Sequence, residues 1–196
     1  HVGDERFARQ RLLVKVKVVD RNLVFESCAD QDNQKLERAK EKINGLLEAR
    51  DPDVPTEPIP FYGSIGGGLR FVLYDFGAKQ WYKLFNPRQL LTLVKLVKLI
   101  REVGKKVEEE RIEEGWGKEE AEGYAEAVAS YLAVALTKHL DYNSNVVAWN
   151  PATGFGSPTA ILRAGHTLSF RGIAMVWNFI DYNTTYDYIS IPKTLE

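Results

Sequence analysis

Apolar and polar residues alternate most cleanly near the start of the chain. Over residues 12–19, Val14, Val16 and Val18 share one face, and Lys15 and Lys17 share the other. That period of two predicts a half-exposed strand. Asp20-Arg21-Asn22 supplies a turn, and Leu23-Val24-Phe25 returns as the hairpin partner. Lysines on the outer face also discourage edge-to-edge pairing between molecules. Residues 30–33 then offer side chains suited to capping a helix. Over 34–50, Leu36, Ala39, Ile43, Leu46 and Leu47 recur at spacings of three and four, which predicts an amphipathic helix.

Pro52, Pro55, Pro58 and Pro60 forbid a helix over 51–60 and predict an extended connection. Glycines over 63–68 continue the break, and 69–74 alternates as a short strand would. The next signal is stronger. Asn86 is a good N-cap, Pro87 suits the first helical position, and Gln89 stands where it completes a capping box. The helix it opens runs through Leu90, Leu93, Val94, Val97, Ile100 and Val103. Its apolar face is wide, so the expectation is a largely buried helix with Lys95, Lys98, Glu102 and Lys105 on a narrow solvent face. A charge run over 108–114 reads as its solvated end, and Gly115-Trp116-Gly117 interrupts it. An Ala-rich helix follows over 118–140, and the two should pack as an antiparallel pair. Residues 166–180 form a third apolar segment, and the tail from Thr184 is Tyr-rich.

The predicted class is α+β: an N-terminal β-hairpin plus helix, then a mainly helical half with two long packed helices. The subdivisions are a hairpin and helix subdomain (1–50), a Pro/Gly-rich linker with a short strand (51–83), and a mainly helical subdomain (84–196). A formal net charge of -1 rules out a uniformly basic nucleic-acid binder, so any basic surface must be local. The single cysteine, Cys28, allows no internal disulfide and suits a reducing, cytoplasmic setting. No apolar run approaches a membrane span, and no signal-peptide pattern opens the chain. The sequence opens on His1 rather than Met, which reads as a piece of something longer.

Candidate chemistry is sparse. His139 and His166 lack partners at metal-ligand spacing, so no metal site is expected. Gly66-Gly67-Gly68 lacks the lysine and hydroxyl of a phosphate loop. Two polar clusters stand out. Asp141-Tyr142-Asn143-Ser144-Asn145 either caps a helix end or lines a groove in which Asn143 reads a base edge. Thr167 either caps a helix, with Arg163 and Arg171 solvated, or sits beside Arg163, His166 and Arg171 on phosphate.

Several stretches share an order and spacing with a known family. They are Glu57-Pro58-Ile59-Pro60, Gly68-Leu69-Arg70, Leu84-Phe85-Asn86-Pro87-Arg88-Gln89-Leu90-Leu91, Asp141-Tyr142-Asn143-Ser144 with Trp149, and His166-Thr167 with Met175-Val176-Trp177. Together they resemble the central region of the large prokaryotic (archaeal and bacterial) zinc-ribbon-containing adenine-specific DNA methylases. The resemblance implies methyl transfer from S-adenosyl-methionine to adenine N6 in DNA, on a base flipped out of the duplex. It also implies DNA and the remaining domains of the parent methylase as partners, with no membrane. Arg88, Asn143, Arg163, His166 and Arg171 are the expected DNA- or site-facing residues.

The chemistry itself is missing from this piece. Asn86-Pro87-Arg88 and Asn150-Pro151-Ala152 lack the second proline and the aromatic of the family's catalytic tetrapeptide. The cofactor loop and zinc-ribbon cysteines are absent, and Leu168-Ser169-Phe170-Arg171 departs from the family's Phe-Gly-Arg-like run. The expectation is therefore a fragment with no catalytic residue and no cofactor of its own. The alternative is a non-enzymatic nucleic-acid or protein interaction module, supported by the Lys15/Lys17 strand face and the aromatic tail.

Overall fold

A computed structural model describes residues 10–19, 22–59, 77–147, Thr167 and Asp181. Strands β1 (Val14–Val19) and β2 (Asn22–Ser27) form an antiparallel hairpin, followed by helices α1 (Asp30–Glu48), α2 (Pro87–Glu113) and α3 (Lys118–Tyr142). The class is α+β, with the two long helices packed together, as the periodicities predict. The chain divides into two compact units, His1–Leu91 with Asp141–Asp181 and Thr92–Leu140 with Tyr182–Glu196.

In the first unit the hairpin register pairs Val14 with Ser27 and Val16 with Phe25. The hairpin is tied to α1 by polar contacts. Asn33 Oδ1 accepts from the Leu12 N–H at 2.9 Å, and Lys15 Nζ lies 3.0 Å from Asp32. Helix α1 begins earlier than the periodicity suggests. Ala29 is its N-cap, and Asp32 reaches back to accept the Ala29 N–H at 2.9 Å. Asp30 and Asp32 thus fall in the first turn, where their charge favours the helix dipole. Leu36, Ala39 and Ile43 are the buried stripe of α1. The proline-rich stretch is not helical; it opens on a turn at Pro52-Asp53, closed by the Val54 N–H to the Asp51 carbonyl, and beyond it the backbone pairs with the segment before α2. Pro58 bridges Gln80, the Ile59 N–H donates to the Lys79 carbonyl, and the Trp81 N–H donates to the Glu57 carbonyl. The predicted strand over 69–74 and the apolar segment over 166–180 lie outside the described residues, apart from Thr167.

In the second unit α2 and α3 approach closely where side chains are small. A methyl placed on Gly104 would lie 3.7 Å from Ala129 Cβ. Nearer the turn, the Arg111 guanidinium stacks on Trp116 at 5.4 Å and on Tyr124 at 5.1 Å. The expectation of a largely buried α2 fails. Of its apolar residues only Leu90, Leu93 and Val94 are buried, whereas Leu99 and Val103 are exposed. Alanines on α3 give it a slim flank, and a slim flank covers only a strip of its neighbour.

Helices α1 and α2 end in the same backbone motif. At the α2 end the Gly115 N–H donates to the Ile112 carbonyl and the Trp116 N–H to the Arg111 carbonyl, with Gly115 at φ 93°. At the α1 end the Arg50 N–H donates to Leu47 and the Asp51 N–H to Leu46, with Arg50 at φ 53°. The motif requires a left-handed residue, normally glycine. Arg50 occupies it at a steric cost. Arg50→Gly should therefore stabilise the chain by about 0.5–1 kcal/mol, and Gly115→Ala should destabilise it by a similar amount. Urea unfolding of the two variants checks both signs.

Candidate functional site: a buried polar junction

Described residues from three of the stretches behind the resemblance, residues 84–91, residues 141–144 and Thr167, converge in the first unit. Asn86 caps α2 as its sequence predicts. Its Oδ1 accepts the N–H groups of Arg88 at 2.8 Å and Gln89 at 2.9 Å. The Gln89 Oε1 accepts the Asn86 N–H at 2.9 Å, closing the capping box. The Gln89 Nε2 then donates to Asn143 Oδ1, 2.9 Å away and just past the end of α3. Asn86, Gln89 and Asn143 are each no more than 2% exposed. The two helix ends are thus joined through one run of buried amides.

The run continues on the far side. Ser144 Oγ and Thr167 Oγ1 are 2.8 Å apart, and both residues are buried. The Thr167 N–H donates to the Asp141 carbonyl at 2.6 Å, satisfying an orphan acceptor at the end of α3. The Asn145 N–H donates to the Leu84 carbonyl at 2.8 Å, so the loop after α3 is bound to the turn before α2. Thr167 therefore serves the C-terminal end of α3. Whether it also caps a helix of its own concerns residues outside those described.

Asp181 completes the cluster. Its Oδ2 lies 3.5 Å from Arg88 Nη1, and its side chain is 9% exposed. Burial pushes the carboxyl above its ordinary range. Arg88 pulls the other way, as does the Asn86 amide more weakly, and burial wins. Neither Asn86 Nδ2 nor Asp181 Oδ2 completes a hydrogen bond of good geometry.

Of the five residues expected to face DNA, the structure brings two into this cluster. Arg88 keeps a half-exposed guanidinium beside Asp181. Asn143 is buried, and Gln89 takes its oxygen, so its place is in packing rather than on a surface. Arg163, His166 and Arg171 lie outside the described residues. Sequence reasoning missed the Gln89–Asn143 bond, the Ser144–Thr167 pair and the role of Asp181. Among the described residues no cluster of His, Cys, Asp or Glu could hold a metal ion, and no helix is long and apolar enough to cross a membrane. Lys15 is bound by Asp32, and Lys17 lies 2.8 Å from Glu26, so both lysines of the strand face are engaged in ion pairs. Comparisons with protein families, curated proteins and solved structures find no match to this chain.

Two outcomes follow from the junction. Gln89→Ala removes the bonds that Gln89 makes to the buried Asn86 N–H and Asn143 Oδ1, so a loss of about 2–4 kcal/mol is expected. Asn143→Ala should cost at least about 0.5 kcal/mol less in that background than alone, as measured by a double-mutant cycle in urea. Asp181 gives a pH signature. A carboxyl raised above its unfolded value favours the folded state below the unfolded pKa, and that contribution is lost as pH rises through the folded pKa. Asp181→Asn should therefore raise the melting temperature at neutral pH. The gain should shrink to nothing as pH falls to the ordinary Asp value of about 4.

Proposed function

We propose that this chain is the central, non-catalytic segment of an adenine-specific DNA methylase. It supplies packing helices and part of a DNA-facing surface to an enzyme that methylates adenine N6 from S-adenosyl-methionine. One observation carries the reading. Asn86 and Gln89 of the Leu84-to-Leu91 run, Asn143-Ser144 and Thr167 all belong to the stretches that resemble the family. They are far apart in sequence and meet in two adjoining buried hydrogen-bond groups, joined where Asn143 and Ser144 are neighbours in the chain. Residues whose main task is to satisfy one another are positioned to hold a scaffold, not to transfer a methyl group. Arg88 is the described residue of the cluster with a charged group at the surface, and Arg163, His166 and Arg171 join it by resemblance. The cofactor-binding loop and catalytic tetrapeptide belong to other parts of the parent protein, and a cytoplasmic location goes with that activity.

The alternative, an interaction module without enzymatic activity, rests on the hairpin. Val14, Val16 and Phe25 lie on one face of a two-stranded sheet and are 54%, 36% and 56% exposed. A hairpin with such a face is marginal alone and gains stability from a covering partner.

A pair of assays tests the methylase reading. Calorimetric titration of the chain with S-adenosyl-methionine should give no binding heat, while the whole gene product should form N6-methyladenine in duplex DNA. Cofactor binding by the chain alone would overturn its non-catalytic role. Failure of the whole product to methylate DNA at saturating cofactor would overturn the family assignment.

A further inference from the structure

Helix α3 carries an exposed stripe that its packing against α2 does not use. Residues 127–137 hold no charged side chain. Ala121, Ala125, Ala135 and His139 are its buried residues, and Ala129 lies toward Gly104 of α2. At about 100° per residue, the opposite side of the helix presents Glu120, Tyr124, Ala127, Tyr131, Val134 and Lys138. All six are exposed. Tyr124, Tyr131 and Val134 keep 43%, 76% and 69% of their surface in solvent. Tyr124 is the most covered of these three, because one side of its ring meets Trp116 at 5.6 Å.

The six positions are spaced alternately by four and three, which is the repeat of a coiled-coil seam. Positions 121, 128 and 135 flank it on one side and 123, 130 and 137 on the other, and none carries a charge. The direction of a partner helix is therefore set by the ends of the seam, Glu120 and Lys138, about 27 Å apart along the axis. A second copy of α3 laid antiparallel puts Glu120 of each copy beside Lys138 of the other. The same register sets Tyr124 beside Val134 and the large Tyr131 ring over the small Ala127. A parallel copy would instead stack carboxylate on carboxylate and ammonium on ammonium, which is unfavourable. An anionic lipid surface would be repelled by Glu119, Glu120, Glu122 and Glu126 in the first half of the helix. We propose that this face of α3 binds a second copy of the chain, the two helices running antiparallel about a two-fold axis level with residue 129. The pairing neither uses nor requires the methylase reading.

Sedimentation of the chain over a range of concentrations tests it, and a reversible monomer–dimer equilibrium is expected. Tyr131→Glu sets two carboxylates in the middle of the seam and should leave a monomer at every concentration. Glu120→Lys alone, or Lys138→Glu alone, opposes like charges at both ends and should weaken the dimer about fivefold or more. Glu120→Lys/Lys138→Glu reverses both ends together and should return the dimer to its parent strength. Lys42→Glu, on the exposed side of α1, should change nothing. The substituted positions are exposed, so circular dichroism of each variant should match that of the parent chain. A parent chain that is monomeric at every concentration overturns the proposal. An undiminished dimer in Tyr131→Glu overturns it too, because association then uses another surface. Single charge swaps without effect, or a double swap that fails to restore association, overturn the antiparallel arrangement.

Discussion

The amide of Gln89 joins the start of α2 to the residue that follows α3. A helix start leaves backbone N–H groups without partners, and a buried start cannot hand them to water. Here the start of α2 is buried. Asn86 takes two of those N–H groups and Gln89 returns a bond to Asn86. The second half of the Gln89 amide is then free to donate to Asn143. One side chain thus finishes the beginning of α2 and holds the residue after α3. In a low-dielectric interior such a network is stable when complete and costly when any member is lost.

The same requirement explains the neighbouring contacts. The end of α3 leaves carbonyl groups unpaired, and the Thr167 N–H meets the one on Asp141. The loop after α3 is bound to the Leu84 carbonyl. Asp181 brings a charge into this setting, where burial disfavours it more than Arg88 offsets it. The cluster therefore combines amides and hydroxyls bonded to one another with two buried polar atoms that lack a well-formed bond, Asn86 Nδ2 and Asp181 Oδ2. That composition suits a structural junction whose charged members, Arg88 and Asp181, respond to their surroundings.

What the sequence made legible depended on distance along the chain. Asn86, Pro87 and Gln89 are neighbours, and their capping roles follow from local rules, so the start of α2 is readable at once. Gly115 and its neighbours mark the turn for the same reason. The Gln89–Asn143 bond spans 54 positions and the Ser144–Thr167 pair spans 23. Such partners are fixed by how the helices return, which no local pattern encodes. Periodicity also measures how many apolar residues share a face, not how much of that face is covered. That is why Leu99 and Val103 remain exposed on a helix expected to be buried. At α1 the residues suited to an N-cap act from inside the first turn instead: Asn33 holds the strand backbone, and Asp32 holds Lys15 and bonds back to the N-cap Ala29 N–H.

If the amide junction organises this part of the molecule, its backbone donors should be protected from solvent. The direct measurement is native-state hydrogen exchange at the Arg88 and Gln89 amides. First-turn amides of an ordinary helix exchange rapidly because they lack intrahelical partners. The account predicts that these two exchange as slowly as the amide of Leu90, whose bond to the Asn86 carbonyl lies within the same helix start. Exchange at the rate of an exposed first turn, with Leu90 still protected, would contradict it.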